Sequence, residues 1–149
     1  MKHSNAFDLL IELSTHQTNE VAQKLGKLVT EREQAGLQLE ALNQYRLDYA
    51  QRLLEAGQSG VTMSNYMNFR RFIGTLDEAI QQQNKLVDIL NQKIAQQQAI
   101  WIEEKQRLNA YETLQERRRA ELSLANSRRE QRLNDEMSAS LFQRAQHSY

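Results

Sequence analysis

Apolar residues recur at every seventh position in two stretches of this chain, and one glycine-containing break separates the two. Val21, Leu28, Ala35, Leu42 and Tyr49 form the first series, and Ile73, Ile80, Val87, Ile94 and Trp101 form the second. A seven-residue apolar repeat is the pattern of a helical coiled-coil seam, and no proline interrupts it anywhere. If the chain reverses between Gly57 and Ser64, the two series meet layer by layer. Each opposed pair of residue numbers then sums to 122, as for Leu42 with Ile80 and Ala35 with Val87. The predicted fold is therefore all-α: a long antiparallel two-helix coiled-coil hairpin with an extended C-terminal helix, spanning residues 1–149 as a single coiled-coil domain.

The pattern also sets approximate boundaries. A first helix is expected over about 6–56, a tip over about 57–64 and a second helix over about 65–143. Gly57, Ser59 and Gly60 supply the freedom that the reversal needs, and Ser64 or Asn65 can cap the second helix, with Thr62 an earlier candidate. Gly74 is the one weak point in the second helical pattern. A first helix beginning near Ala6 would face the second near Glu116, so some 25 residues of helix, roughly 40 Å, extend beyond the hairpin.

The remaining core positions are mixed in character. Phe69 meets Leu53, but Leu76 faces Arg46, Gln83 faces Leu39, Leu90 faces Arg32 and Gln97 faces Leu25. Arg and Gln can bury their stems while keeping their heads wet, so such layers hold register at a cost in stability. A two-helix seam built this way implies a further surface that packs against it in the working state.

Composition narrows the function class. The 19 basic and 19 acidic residues cancel, so no bulk attraction to nucleic acid or anionic lipid is expected. Their signs interleave at helical spacing, as in Glu103 with Arg107, Arg117 with Glu121 and Arg132 with Glu136. There is no cysteine for a disulfide or thiolate site, which favours a reducing cytoplasm. The start, Met1 to Asp8, lacks a signal-peptide apolar region, and no apolar run approaches the roughly 20 residues of a membrane span.

No catalytic, cofactor or metal site is expected, and the chain reads as a non-enzyme. The five glycines stand apart without a phosphate-loop Lys-Ser or Lys-Thr behind them. Glu12, His16 and Glu20 share a helical face, yet they lack a partner helix to complete a ligand set, so they read as a solvated polar face. The basic clusters Arg117 to Arg119 and Arg128-Arg129 are interleaved with Glu112, Glu116, Glu121 and Glu130 and carry no aromatic for base stacking. They suit solvent or a protein partner. The triplets Gln81 to Gln83 and Gln96 to Gln98 read as polar helix exterior.

Aromatic placement says more. Tyr45, Tyr49, Phe69 and Phe72, with Tyr66 nearby, crowd the loop end of the hairpin beyond what a thin seam can bury. Two runs, Gln38, Leu42, Tyr45, Tyr49 and Phe72, Leu76, Ala79, Gln83, share the step pattern four, three, four. Opposed members sum to 121, which places both runs along one flank, with Gln38, Tyr45, Phe72 and Ala79 just outside the seam. An exposed apolar strip of that kind marks a protein contact.

At these residues the chain resembles the FliJ family, small coiled-coil proteins of the bacterial flagellar type III export apparatus, over nearly its whole length. The resemblance is carried by Leu42 to Tyr49, by the tip Gly60 to Phe69, by Phe72 to Leu76, by Trp101 with Glu104 to Leu108, and by Tyr111 to Arg117. It implies a cytoplasmic, non-enzymatic component peripherally associated with the inner membrane at the flagellar base. The implied fold is similar to the central stalk subunit of rotary ATP synthases. The implied partners are an export ATPase hexamer whose assembly and activity it promotes, the cytoplasmic linker of the export gate membrane protein, and export chaperones, with no nucleic acid and no direct membrane insertion.

By the same resemblance the gate-binding strip maps onto Gln38, Leu42, Tyr45, Tyr49, Phe72, Leu76, Ala79 and Gln83. Leu122, Ala125, Leu133, Met137 and Leu141 recur at helical spacing where the first helix has run out, so their burial must come from another chain. The resemblance makes that chain the ATPase ring. Two alternatives remain open: the equivalent stalk of a virulence injectisome, and a passive coiled-coil spacer with no effect on ATP turnover.

Overall fold

The computed structural model describes residues 2–147, with side chains from residue 6 onward. Two helices account for them, α1 over Lys2–Ser59 and α2 over Met63–His147, packed against each other with no strand among the described residues. None of the described helices is apolar enough over the necessary length to cross a membrane.

The reversal is shorter than expected. Gly57 and Ser59 lie inside α1, and the link consists of Gly60, Val61 and Thr62. Gly60 takes the left-handed conformation, φ 77°, and the Val61 amide donates to the Ala56 carbonyl at 3.3 Å. This six-to-one closure satisfies a carbonyl that the helix end would leave open, and it needs the residue without a Cβ only at Gly60. Thr62, rather than Ser64 or Asn65, caps α2: its hydroxyl accepts from the Asn65 amide at 3.4 Å, and its carbonyl accepts from the Tyr66 amide. Gly74 is helical and unbroken, with open space where a Cβ would stand.

Contacts divide the chain into two units, one of residues 18–103 and one of residues 1–17 with 104–149. In the first, all ten positions of the two strict heptad series are buried or half-buried. Ala35, Val87 and Leu90 form its core, with Leu28 and Leu39 packed against them. The opposed pair Ala35 and Val87 is the 122 register in the flesh. Every member of the mixed layers is also buried or half-buried, with the heads of Arg32 and Arg46 leaving the seam toward Asn91 and Asp77.

The second unit uses the same register with poorer groups. Ser14 and Leu108 are its buried pair, and their numbers again sum to 122. Phe7 lies under the Arg118 guanidinium at 5.9 Å, and Gln115 donates to Asp8. Beyond Arg118 the pairing ends, and every described residue from 119 to 147 is exposed.

Candidate protein-contact surfaces

Two helices joined by a thin seam have two flanks, and in the 18–103 unit these flanks differ chemically. On α2 the row Phe72, Ala79, Leu86 runs along one side of the seam and the row Asp77, Asn84, Asn91 along the other. The polar layers decide how each is used. Arg46 reaches Asp77, which holds the guanidinium's pKa above its ordinary value through a hydrogen bond and charge, and Arg32 donates to Asn91 Oδ1 at 3.0 Å. Both seam arginines therefore turn to the same side. The opposite flank is left without their charge.

That flank holds the aromatic residues. Tyr49 and Phe72 pack with ring centroids 4.5 Å apart and tilted by 43°, and Phe69 lies 6.2 Å from Tyr49. Arg52 stands over the outer face of Tyr49, 5.4 Å from its centroid. Asn65 and Asn68 close a shallow recess beside Tyr49, Phe69 and Phe72. Further along, Gln83 donates from the seam to the Ala35 carbonyl at 3.0 Å and to Gln38 Oε1 at 3.2 Å.

The eight strip residues thus fall into three groups. Gln38, Tyr45 and Phe72 are exposed, Tyr45 by 58% and Phe72 by 43%. Leu42, Tyr49, Ala79 and Gln83 are half-buried at the seam edge. Leu76, at 7% exposure, is core. A partner approaching this flank would touch the first group directly and the second at its rim, whereas Leu76 can only support them from below.

The exposed row also extends further than the strip. Leu86 follows Phe72 and Ala79 at the same spacing and stands open to solvent. Its signal was the seven-residue step alone, which a heptad chain contains at every position, so nothing marked it.

In the other unit, Leu122, Ala125, Leu133, Met137 and Leu141 are all exposed on a single helix. Leu122, Leu133 and Met137 lie within a narrow arc, with Ala125 and Leu141 at its two edges. Leu124 and Phe142 are equally open but face away from that arc. On α1 of the same unit, Leu9, Leu10 and Leu13 are exposed beside the half-buried Phe7 and Ile11. Among the described residues no three His, Asp or Glu side chains are grouped to hold a metal ion.

A surface of this kind, aromatic on one flank and polar on the other, is what a partner-binding coiled coil presents, and comparison with known proteins names the kind. The family model for the flagellar FliJ protein matches residues 2–147. The chain belongs to the FliJ family. It is 33% identical over 136 residues to the flagellar FliJ protein of Escherichia coli (strain K12), covering 91% of this chain and 92% of that one. The flagellar FliJ protein of Salmonella typhi is 32% identical over the same shares of both chains. No solved structure matches.

Proposed function

We propose that this family member works as a stalk-like component of the flagellar type III export apparatus, promoting the assembly and activity of the export ATPase ring. The observation that carries the reading is a helical segment, 119–147, whose apolar residues have no cover in a family member matched from residue 2 to residue 147. In this reading Leu122, Ala125, Leu133, Met137 and Leu141, with the first turns of α1, enter the ring. Its interleaved Arg and Glu groups can touch polar loops there without locking to them.

The aromatic flank of the 18–103 unit is assigned to the cytoplasmic linker of the export gate. Tyr45 and Phe72 act as anchors, with Gln38, Leu42, Tyr49, Ala79 and Gln83 around them and Leu76 beneath. Aromatic groups in partly covered recesses are the residues that carry most binding energy in protein interfaces. Handling of empty export chaperones, in the cytoplasm at the inner membrane, completes the proposal. No catalytic chemistry is assigned to the chain.

The test is ATP hydrolysis by the purified export ATPase with the full chain and with a chain ended after Glu116. The full chain is expected to raise turnover and the shortened one to fail. Equal stimulation by both would remove the segment from the mechanism, and no stimulation by either would leave a passive spacer.

A further inference from the structure

The aromatic flank carries a polar pair further along, and the hydrogen bonds of that pair have a direction. Gln83 reaches the Ala35 carbonyl at 3.0 Å and Gln38 Oε1 at 3.2 Å, both from its one amide nitrogen. A carbonyl oxygen can only accept, so the Gln83 atom that stands against Ala35 must be nitrogen. The second N–H of the same nitrogen meets Gln38, which therefore turns its own oxygen inward. The Gln38 amide nitrogen, with two N–H donors, is left facing outward, and among the described residues nothing accepts from it.

Burial runs in the same order. Ala35 is core, Gln83 is half-buried and Gln38 is exposed, so the fixed inner group sets the outer one. Gln38 lies one heptad from Tyr45, about 10 Å along α1. Gln83 lies between Ala79 and Leu86 on α2. The donors are thus set into an apolar row, with the exposed Tyr45 and Phe72 on one side and the exposed Leu86 on the other.

We propose that Gln83 is a positioning residue that holds Gln38 as a hydrogen-bond donor, and that the segment docking on this flank carries an acceptor oxygen opposite it. Such a segment lays apolar side chains over Tyr45, Phe72 and Leu86 and sets a carboxylate, a carboxamide oxygen or an open main-chain carbonyl between them. A wholly apolar segment would take water from the Gln38 donors and return no bond, and a lysine there would set donor against donor. Because Gln38 is already held, less side-chain freedom is lost when the partner arrives. This inference rests on the assignment of the flank to the export-gate linker and adds the chemistry that linker must offer.

The experiment has two arms, both on the full chain. Side-chain amide NMR needs no partner: the Gln83 amide protons should exchange with solvent more slowly than those of Gln38. Protected Gln38 protons, or equal exchange at the two residues, would overturn the proposal. The second arm titrates the export-gate linker. Gln83→Leu should weaken binding about fivefold, the worth of one net hydrogen bond, while the thermal unfolding midpoint holds or rises because leucine suits the seam. In a chain that already carries Gln38→Ala, Gln83→Leu should cost no further affinity. Gln38→Glu, which sets an acceptor against an acceptor, should bind more weakly than Gln38→Ala. Additive losses from Gln38→Ala and Gln83→Leu, a loss that follows a fallen midpoint, or Gln38→Glu binding as tightly as the unaltered chain would overturn the positioning role. A linker that does not bind even the unaltered chain would overturn the gate assignment and this partner with it, and the NMR arm would still decide which way the Gln38 amide faces.

Discussion

The paired region 18–103, helical on both sides of its link, and the solitary region 119–147 are helical for different reasons. In the first, Ala35, Val87 and Leu90 are covered by the opposite helix, and the polar layers are tied across it by Arg32 to Asn91 and Gln83 to the Ala35 carbonyl. In the second nothing is covered. Its helix rests on length, on strong helix formers such as Ala, Leu, Arg and Glu, and on charges one turn apart such as Arg132 with Glu136. The lesson is that a heptad repeat measures opportunity for burial. Whether burial happens depends on whether a second helix runs alongside.

The widest gap between the regions should appear on truncating one leucine in each. Leu90 is 4% exposed, so Leu90→Ala should cost about 2 kcal/mol, at the lower end for a core leucine because the seam is thin enough for water to enter the space left. Leu124→Ala, in the solitary region and away from the apolar arc, should change stability by less than about 0.5 kcal/mol. Urea unfolding followed by far-UV circular dichroism measures both. Equal costs would mean that the solitary helix is covered after all.

A smaller contrast divides the paired region itself. Leu76→Ala removes core, whereas Phe72→Ala removes a half-exposed ring whose main contact is Tyr49, so the second should cost only about 1 kcal/mol of stability. Its larger effect should fall on binding. Titration of each variant with the export-gate linker is expected to show affinity lost for Phe72→Ala with helicity kept. A Phe72→Ala chain that binds as before would return the ring to a purely structural role.

The smallest effects concern the turn that makes pairing possible. Gly60 and Gly57 both have open space around them, but only Gly60 has a positive φ. Gly60→Ala should therefore destabilise by about 1 kcal/mol, and Gly57→Ala, at an ordinary helical position, should stabilise by about 0.5 kcal/mol. Thermal unfolding midpoints moving in opposite directions would confirm the division of labour. Movement in the same direction would place the helix end elsewhere.

Much of this architecture was open to a reader of the chain. Two apolar series whose numbers sum to 122 specify two helices, their direction and their register, because seam burial allows only shifts by whole heptads and a break centred near residue 61 selects among them. The solitary helix followed by subtraction. The turn is narrower than residue type suggests, since Gly57, Ser59 and Gly60 look equally permissive when only residue type is known. Local hydrogen bonding at Val61 and Thr62 selects Gly60 alone for the left-handed position.

The candidate surface divides in the same way. That aromatic residues gather at the loop end, and that Gln38, Tyr45, Phe72 and Ala79 share a flank, follows from spacing. Which flank receives the charged heads does not. Arg32 and Arg46 sit at seam positions with long flexible stems, free by sequence to turn either way, and only the packed pair brings Asn91 and Asp77 within their reach on one side. The same packing half-buries Ala79 while leaving Tyr45 and Phe72 open, although spacing places all three just outside the seam. Periodicity is a property of one helix and is written in its sequence. The sidedness of long polar groups and the depth of a seam edge are properties of two helices together, and they exist only once those helices have met.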